Sequence, residues 1–473
     1  PLSYRPAREV ASYFQALAFL RDGVGSVFYA TPAESRASIH LYDLLVVPLL
    51  MTGYQEAGRF ISLLAAALSP FVLYRGIQDQ WSTEIGILAG TFLWIQPLFI
   101  RHAYAFMPEA LSILVTLAAI SWSLKSPWPD LPDYAGKLIL FGILFIGPFV
   151  HMWEAYIALP IFGVFIHRRD FFTALLAGTA STAAVITNFI VTSWQPANAA
   201  VYTRSHTFIR SGFDVYFTSR FWFGRVIHEP SDLVFFWFNN IIPSPFEVTE
   251  SIALLFAIFA TTYWIVRWYR NQTPRITMMV LWFISALAVP FVLSRGYYTH
   301  HSYFQWVFIG PFAVTIAIWS DDLIGRLSDL DIALSRETIL TGAVIVLVGL
   351  AGVQIGVNEL KGFQGGGSVH ESMTVGGVSH EEAVTAGRAI PPHITEAPNV
   401  CFVGDDWKGQ TVKHYESNYD ISTILVYSNV LPKGTFITSE GGPQLISTNE
   451  TVPSSCEVTL RRDGRFVSVN TTG

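Results

Sequence analysis

Acidic, basic and histidine side chains stand together at the start of an apolar run in the segment "RHAYAFMPEALSIL", residues 101–114. Arg101 and His102 open the segment, and Glu109 follows Pro108 directly. A carboxylate can serve as a general base, and an arginine binds phosphate through its charge and its forked donors. These residue types predict chemistry on a substrate that bears a phosphate. A purely structural role for Glu109 is equally open, because a carboxylate in a first helical turn interacts favourably with the helix dipole.

The composition predicts a membrane protein. Of the 473 residues, 51% are hydrophobic and only 14% are charged, which is far from the average of soluble domains. Apolar runs long enough to cross about 30 Å of hydrocarbon recur along the chain. The net charge of −6, without basic blocks among the aromatic residues, makes nucleic acid an unexpected partner. The predicted spans cover about 57–75, 84–100, 106–124, 137–151, 153–167, 171–193, 251–269, 276–294, 302–320 and 337–357.

Positive charges in the short loops predict the orientation of the bundle. Lysine and arginine are retained on the cytoplasmic side, and the loops rich in them alternate along the chain. The predicted units are an extracytoplasmic loop at 1–56, a transmembrane bundle at 57–357 with a long external loop at 194–250, and a linker with a soluble extracytoplasmic domain at 358–473. We also expect a transmembrane helix before Pro1, now missing.

Further ionisable residues share the predicted outer side with Glu109. They are Glu9, His40, Asp43, His151, Glu154, Arg295, Tyr297, His300 and His301. Ionisable groups at the mouth of a membrane bundle are costly unless they face water or a ligand, so their clustering predicts a site. The histidines could instead bind a metal, although no H-E-x-x-H spacing supports this. His151 and Glu154, in "VHMWEAY", could equally form an interfacial turn with an aromatic anchor.

The C-terminal part changes character after the flexible glycine linker "KGFQGGGSV". The segment "CEVTLRRDGRFVSV" alternates on both sides of Asp463-Gly464, which is typical of a β-hairpin. The only two cysteines, Cys401 and Cys456, lie here. An external location permits them to form a disulfide, whereas two free buried thiols are the alternative. The predicted fold class is an all-α multi-pass transmembrane bundle with a small C-terminal extracytoplasmic α+β or β domain.

Several motifs occur in a recognisable order between residues 1 and 320. "SIHLYDLL" precedes a helix that begins at Arg59, "PEAL" opens the helix after next, and "SRGYYTHHSYF" precedes a later apolar helix. This order resembles the GT-C glycosyltransferases, in the branch of the protein O-mannosyltransferases and aminoarabinose transferases. The D-E-x-x-Y motif of that family corresponds here to "AREVASY", in which Glu9 is present and Arg8 replaces the aspartate. His40 and Tyr42 are retained from an H-P-P-L-Y-like segment.

The resemblance implies a GT-C-like membrane enzyme that transfers a sugar, with inversion, from a polyprenyl- or dolichyl-phosphate donor. The acceptor would be a protein, lipid or glycan on the extracytoplasmic side of the plasma membrane or another cellular membrane. Glu9 is the first candidate for the base, followed by Glu109 or Asp43. No cofactor besides the lipid-linked sugar is implied, and a need for metal stays open. Candidate ligands of the leaving phosphate are Arg295, Arg101 and Tyr297.

Two other classes of function remain open. A transporter would use the same charged helix ends as a gate, but paired Gly- or Pro-broken helices in matching halves are not evident. A catalytically silent scaffold of the same fold is compatible with Arg8 in place of the aspartate. The absence of a W-W-D-x-G signature argues against transfer of a complete N-glycan.

Overall fold

The structure is a computed structural model. It describes residues 41–51, 59–96, 108–125, 130–194, 248–292, 306–328, 337–346, 385–390, 400–403, 444–446, 451–456, 458–463 and 466–471. It also describes residues 12, 16, 19, 99, 100, 103, 128, 335 and 349.

Helices dominate the described residues. They are α1 (Leu41–Leu50), α2 (Arg59–Gln78), α3 (Thr83–Ile95), α4 (Glu109–Leu124), α5 (Asp133–Val150), a 3₁₀ helix (Met152–Ile157), α6 (Ala158–His167), α7 (Phe171–Trp194), α8 (Val248–Arg270), α9 (Pro274–Val292), α10 (Ile309–Ser328) and α11 (Glu337–Val346).

Each apolar run identified in the sequence overlaps one of these helices. Among the described residues, the segments Arg59–Gln78, Asp133–Val150, Phe171–Asn188 and Trp306–Arg326 are long and apolar enough to cross a membrane. Several helices are also apolar on their outward faces, as Phe60, Leu64 and Phe71 of α2 show. A helix that is apolar on all sides belongs in lipid or in a large core. The chain is therefore a helical membrane protein, whereas ten as the number of spans stays a prediction.

The helices pack around one extended core. Helix α2 packs against α3 and α4, α10 packs against α3, α9 packs against α6, and α5 packs against α7. Trp264, Trp282 and Trp306 are among the largest fully buried side chains. A Cβ at Gly76 would overlap the side chain of Ser121 on α4, so only glycine permits this approach of α2 to α4. Close contact through small residues is the usual way in which membrane helices associate.

Arginine side chains close the end of the bundle that the loop charges predict to be cytoplasmic. Arg168, just after α6, donates from Nη1 to the carbonyl of Ser123 (2.7 Å) and from Nη2 to that of Leu124 (3.0 Å). Gln80 Nε2 donates to the same Leu124 carbonyl at 3.1 Å, and Arg275 donates to the carbonyl of Gln80. The last carbonyls of a helix have no partner within it, so these bonds satisfy the end of α4.

A small mixed sheet follows the helices in the chain. It contains β1 (Val400–Val403), β2 (Gln444–Ile446), β3 (Val458–Asp463) and β4 (Phe466–Thr471), in the order β2-β1-β3-β4. Strand β1 runs parallel to β2 and β3, and β3 pairs antiparallel with β4, with Asp463 opposite Phe466. The hairpin predicted around Asp463-Gly464 is therefore present. Cys401 and Cys456 form a disulfide beside it, whereas the location of this region outside the membrane stays a prediction.

Candidate functional site

Helix α4 places Glu109 in its first turn, at the end of the bundle opposite the Arg168 bonds. Pro108 precedes the helix with α-helical dihedral angles, and its carbonyl accepts the N–H of Ser112 at 2.8 Å. Proline is well suited to this position because its missing N–H would have had no partner within the helix. Glu109 is fully buried rather than solvated. Helix α4 continues with Ser112 and Thr116, both also buried, so one face of an apolar helix carries a polar stripe.

Helix α5 ends at His151, which lies at the same end of the bundle as Glu109. Pro148 lies near the end of α5 and cannot donate to the carbonyl of Leu144. Ser181 Oγ of α7 donates to that carbonyl instead at 3.4 Å, and Asn188 Nδ2 donates to the carbonyl of Pro148 at 2.9 Å. The helix then stops at His151, whose backbone is extended. Side chains from α7 thus fix the exit of α5 and the position of the histidine.

Glu109 and His151 meet inside the bundle. The distance from His151 Nε2 to Glu109 Oε1 is 4.0 Å, which is the limit of an ion pair and too long for a hydrogen bond. His151 keeps only 7% of its surface exposed. At this separation a single polar atom, such as a hydroxyl oxygen, can hydrogen-bond to both the carboxylate and the imidazole. Both are residue types that serve as general acids and bases.

A second carboxyl group lies one 3₁₀ turn further along the chain. Glu154 is 1% exposed, and its Oε2 accepts the hydroxyl of Thr116 at 2.7 Å. Its backbone N–H donates to the carbonyl of His151 at 2.8 Å, which ties the two residues into one turn. A Cβ at Gly147 would lie 3.2 Å from the Cβ of Glu154, so this turn folds tightly back on α5.

Aromatic rings from three elements enclose this turn. Trp306, at the start of the last long span, meets His151 and Tyr156 edge to face, with ring centroids 5.5 and 5.7 Å apart. Tyr156 donates to the carbonyl of Val307 at 3.4 Å and accepts from Trp282 Nε1 at 3.4 Å. The 3₁₀ helix is therefore attached to α9 and to the start of α10. Rigid aromatic packing of this kind limits the movement of the polar groups beside it.

The predicted site residues divide into three sets. Glu109, His151 and Glu154 come together, and all three side chains are buried. Asp43 and Tyr42 are fully buried in α1, which contacts α5, and the Tyr42 hydroxyl lies 2.9 Å from Ser62 Oγ. The others lie outside the described residues: Glu9, His40, Arg101, His102, Arg295, Tyr297, His300 and His301. Within the described part of the chain, no group of three metal-binding side chains occurs.

The sequence reasoning missed Ser112, Thr116, Tyr156 and Trp306. The first two were detectable, because Glu109, Ser112 and Thr116 repeat at helical spacing in an otherwise apolar segment. Tyr156 and Trp306 gave no comparable signal. An aromatic residue near a predicted helix end is typical of any membrane interface, and only the packing of three helices brings these rings to the site.

The described helices form a membrane bundle with a buried polar site at one end, and comparisons with known proteins specify the fold. No protein-family model matches the sequence, and no curated protein matches it. A solved structure of the Archaeoglobus fulgidus oligosaccharyltransferase, in complex with Zn and sulfate, is similar in fold. Its TM-score is 0.50 at 11% identity, over 90% of this chain and 58% of that chain.

Two further structures of the same archaeal enzyme give similar values. The apo form has a TM-score of 0.49 at 11% identity over 90% of this chain and 60% of that chain. The form tethered by a disulfide to an acceptor peptide with the NVT sequon has a TM-score of 0.49 at 10% identity, over 89% and 59%. This chain thus spans less than two thirds of the enzyme's length. At this level of identity the similarity concerns the fold alone, and it does not support the O-mannosyltransferase or aminoarabinose-transferase branch.

Proposed function

We propose that this protein is a GT-C-type membrane glycosyltransferase that transfers a sugar from a polyprenyl- or dolichyl-phosphate donor to an acceptor on the extracytoplasmic side. The meeting of Glu109 with His151 at 4.0 Å is the observation that carries the proposal. Burying a carboxyl group in a membrane bundle is costly, and such residues usually mark a functional site. The motif order between residues 1 and 320 and the GT-C-like fold support the same class of enzyme.

The proposed reaction is a single displacement at the anomeric carbon. The acceptor hydroxyl loses its proton to the Glu109 carboxylate while its oxygen forms a bond to that carbon. The bond from the carbon to the phosphate oxygen breaks, and the lipid phosphate leaves with the electron pair. His151, beside Glu109, would then take up or hold the proton. The configuration at the anomeric carbon is inverted.

The roles of the other candidates follow from this scheme. Arg295, Arg101 and Tyr297 would hold the leaving phosphate, because charged and hydrogen-bonding groups stabilise the negative charge that develops there. Asp43, buried in α1, is the second candidate base among the described residues. Glu9, which corresponds to the acidic residue of the family's D-E-x-x-Y motif, is the other competitor for this role. The acceptor is proposed as a hydroxyl group of a protein, lipid or glycan.

Reconstituted protein tests the proposal. The full chain in liposomes is given polyprenyl phosphate with radiolabelled mannose, glucose or aminoarabinose, together with peptide and glycolipid acceptors. Glu109→Gln should lower transfer by roughly 10²–10⁴-fold, the usual contribution of a general base. Glu84→Gln is the matched control, because Glu84 lies in the first turn of α3 at the opposite end of the bundle and should not affect transfer.

Three results would contradict the scheme in different ways. Full transfer by Glu109→Gln, with loss in Glu9→Gln or Asp43→Asn, would move the base to another carboxylate. Entry of the labelled lipid or sugar into the vesicle, without product, would indicate the transporter. Binding of the donor with no transfer to any acceptor by the unaltered chain would indicate a catalytically silent scaffold.

A further inference from the structure

Among the residues that the structure describes, three buried polar groups beside the Glu109–His151 pair have no hydrogen-bond partner. They are Oε1 of Glu154, the hydroxyl of Ser112 and Nε1 of Trp306, and each belongs to a side chain no more than 1% exposed. In native proteins nearly all buried polar groups have a hydrogen-bond partner, because a group without one has lost its bonds to water and gained none in return. Three orphans in one region therefore indicate that a polar ligand or water completes them.

The three groups converge on the 3₁₀ helix from two directions. Ser112 of α4 lies near the carboxyl group of Glu154 but makes no hydrogen bond of normal geometry. It stands one helical turn before Thr116, whose hydroxyl donates to the other carboxyl oxygen. Trp306 approaches from the start of the last span and contacts His151 and Tyr156 on either side of Glu154. The orphans thus lie around one short turn.

The types of these groups restrict the ligand. Glu154 offers an acceptor, Trp306 offers a donor, and the Ser112 hydroxyl can be either. None of the three groups is a cation that could balance the charge of a phosphate. A metal ion would not use the indole N–H, and no group of three metal-binding side chains lies in the described part of the chain. A molecule with several hydroxyl groups satisfies all three positions, and aromatic side chains beside it are suited to the apolar faces of a sugar ring.

We propose that Glu154, Ser112 and Trp306 form a subsite for the hydroxyl groups of the donor sugar, next to the Glu109–His151 pair. This inference rests on the proposed function and specifies which part of the donor the buried turn recognises. The lipid phosphate would be held elsewhere, by the arginine candidates. The subsite should therefore distinguish a lipid that carries a sugar from the same lipid without one.

Binding to two kinds of lipid tests this subsite. The unaltered chain and its variants in nanodiscs are titrated with bare polyprenyl phosphate and with polyprenyl phosphate that carries mannose or glucose. Glu154→Leu should weaken binding of the sugar-bearing lipid that the unaltered chain prefers by roughly tenfold, which is the upper end of the range for one lost hydrogen bond. Binding of the bare lipid should change less than about twofold, which also verifies that the variant is folded.

Matched variants separate the subsite from a general effect on the bundle. Glu154→Gln keeps the shape and an acceptor for Thr116, and Trp306→Phe removes the indole N–H, so both should show smaller losses in the same direction. Thr315→Val removes a buried hydroxyl that bonds Trp264, about 13 Å further along the last span, and should not change the ratio of the two affinities.

The possible outcomes decide between the proposals. Equal weakening for both lipids in Glu154→Leu, or no weakening for either, overturns the subsite and leaves the proposed function intact; the second result means that only water occupies the turn. The subsite is also wrong if the unaltered chain binds the sugar-bearing lipids no more tightly than the bare one. Failure of the unaltered chain to bind any of these lipids overturns the proposed function and the subsite with it.

Discussion

Replacing Arg168 by methionine should destabilise the whole bundle from its predicted cytoplasmic end. The guanidinium makes two bonds, to the carbonyls of Ser123 and Leu124, and each bond from a charged donor contributes roughly 1.5–3 kcal/mol. The Leu124 carbonyl keeps the amide of Gln80, so the uncompensated loss is mainly at Ser123. We therefore expect Arg168→Met to lower the free energy of unfolding by about 2–3 kcal/mol. Burial also lowers the pKa of Arg168, yet an arginine stays charged at neutral pH.

Arg168→Lys provides the graded version of this experiment. A lysine keeps the charge but lacks the fork that reaches two carbonyls at once, so about half of the loss should remain. Equilibrium unfolding in mixed micelles, followed by tryptophan fluorescence, measures all variants. Arg270→Met removes the same charge from the exposed end of α8 and should change the stability by less than about 0.5 kcal/mol. An Arg168→Met protein as stable as Arg270→Met would refute the reasoning.

Two predictions concern the turn between α6 and α7. Arg169 has a φ of 62°, so Arg169→Gly should raise the free energy of unfolding by about 0.5–1 kcal/mol. Arg169→Ala removes the charge but keeps the Cβ, so it should not raise the stability. Equal gains in the two variants would show that charge, not backbone strain, is responsible. Partial burial opposes ionisation of Asp170, but bonds from Thr173 and the charge of Lys137 outweigh it, so the pKa of Asp170 lies below its ordinary value. The stability that Asp170 contributes is thus present above the ordinary pKa of about 3.9 and is lost as the pH falls through the lower folded-state value. Asp170→Asn should therefore lose less stability than the unaltered chain between about pH 5 and 3; parallel curves would contradict the assignment.

The sequence was sufficient for elements whose signals are local. The helices fall in the predicted apolar runs because length and hydropathy alone decide whether a segment can be buried in a membrane. The hairpin around Asp463-Gly464 follows from strict alternation and a turn dipeptide. The first-turn position of Glu109 follows from Pro108 in the same way. None of these predictions depends on which helices pack against each other.

The site itself depends on contacts between distant segments, which no local signal contains. The pair of Glu109 and His151 exists because α4 and α5 run in opposite directions and because Pro148 ends α5 with help from α7. The burial of Glu154 depends on Thr116, a residue that reads in the sequence as an ordinary polar member of a membrane helix. The helical spacing of Glu109, Ser112 and Thr116 indicates a polar face on α4, but not its contact with Glu154.

The two ends of the bundle differ in whether their buried polar groups have hydrogen-bond partners, and this difference has a functional consequence. At the end that Arg168 closes, the terminal carbonyls of α4 receive donors from neighbouring helices. At the other end, within the described residues, Glu154, Ser112 and Trp306 each keep an unsatisfied buried atom. Proteins tolerate such local costs mainly at functional sites. A ligand that satisfies these atoms binds the folded state alone, so it should also raise the unfolding temperature of the bundle in a concentration-dependent way. The hydrogen bonds around Arg168 stabilise one end of the bundle, and the polar groups at the other end remain available to bind a substrate.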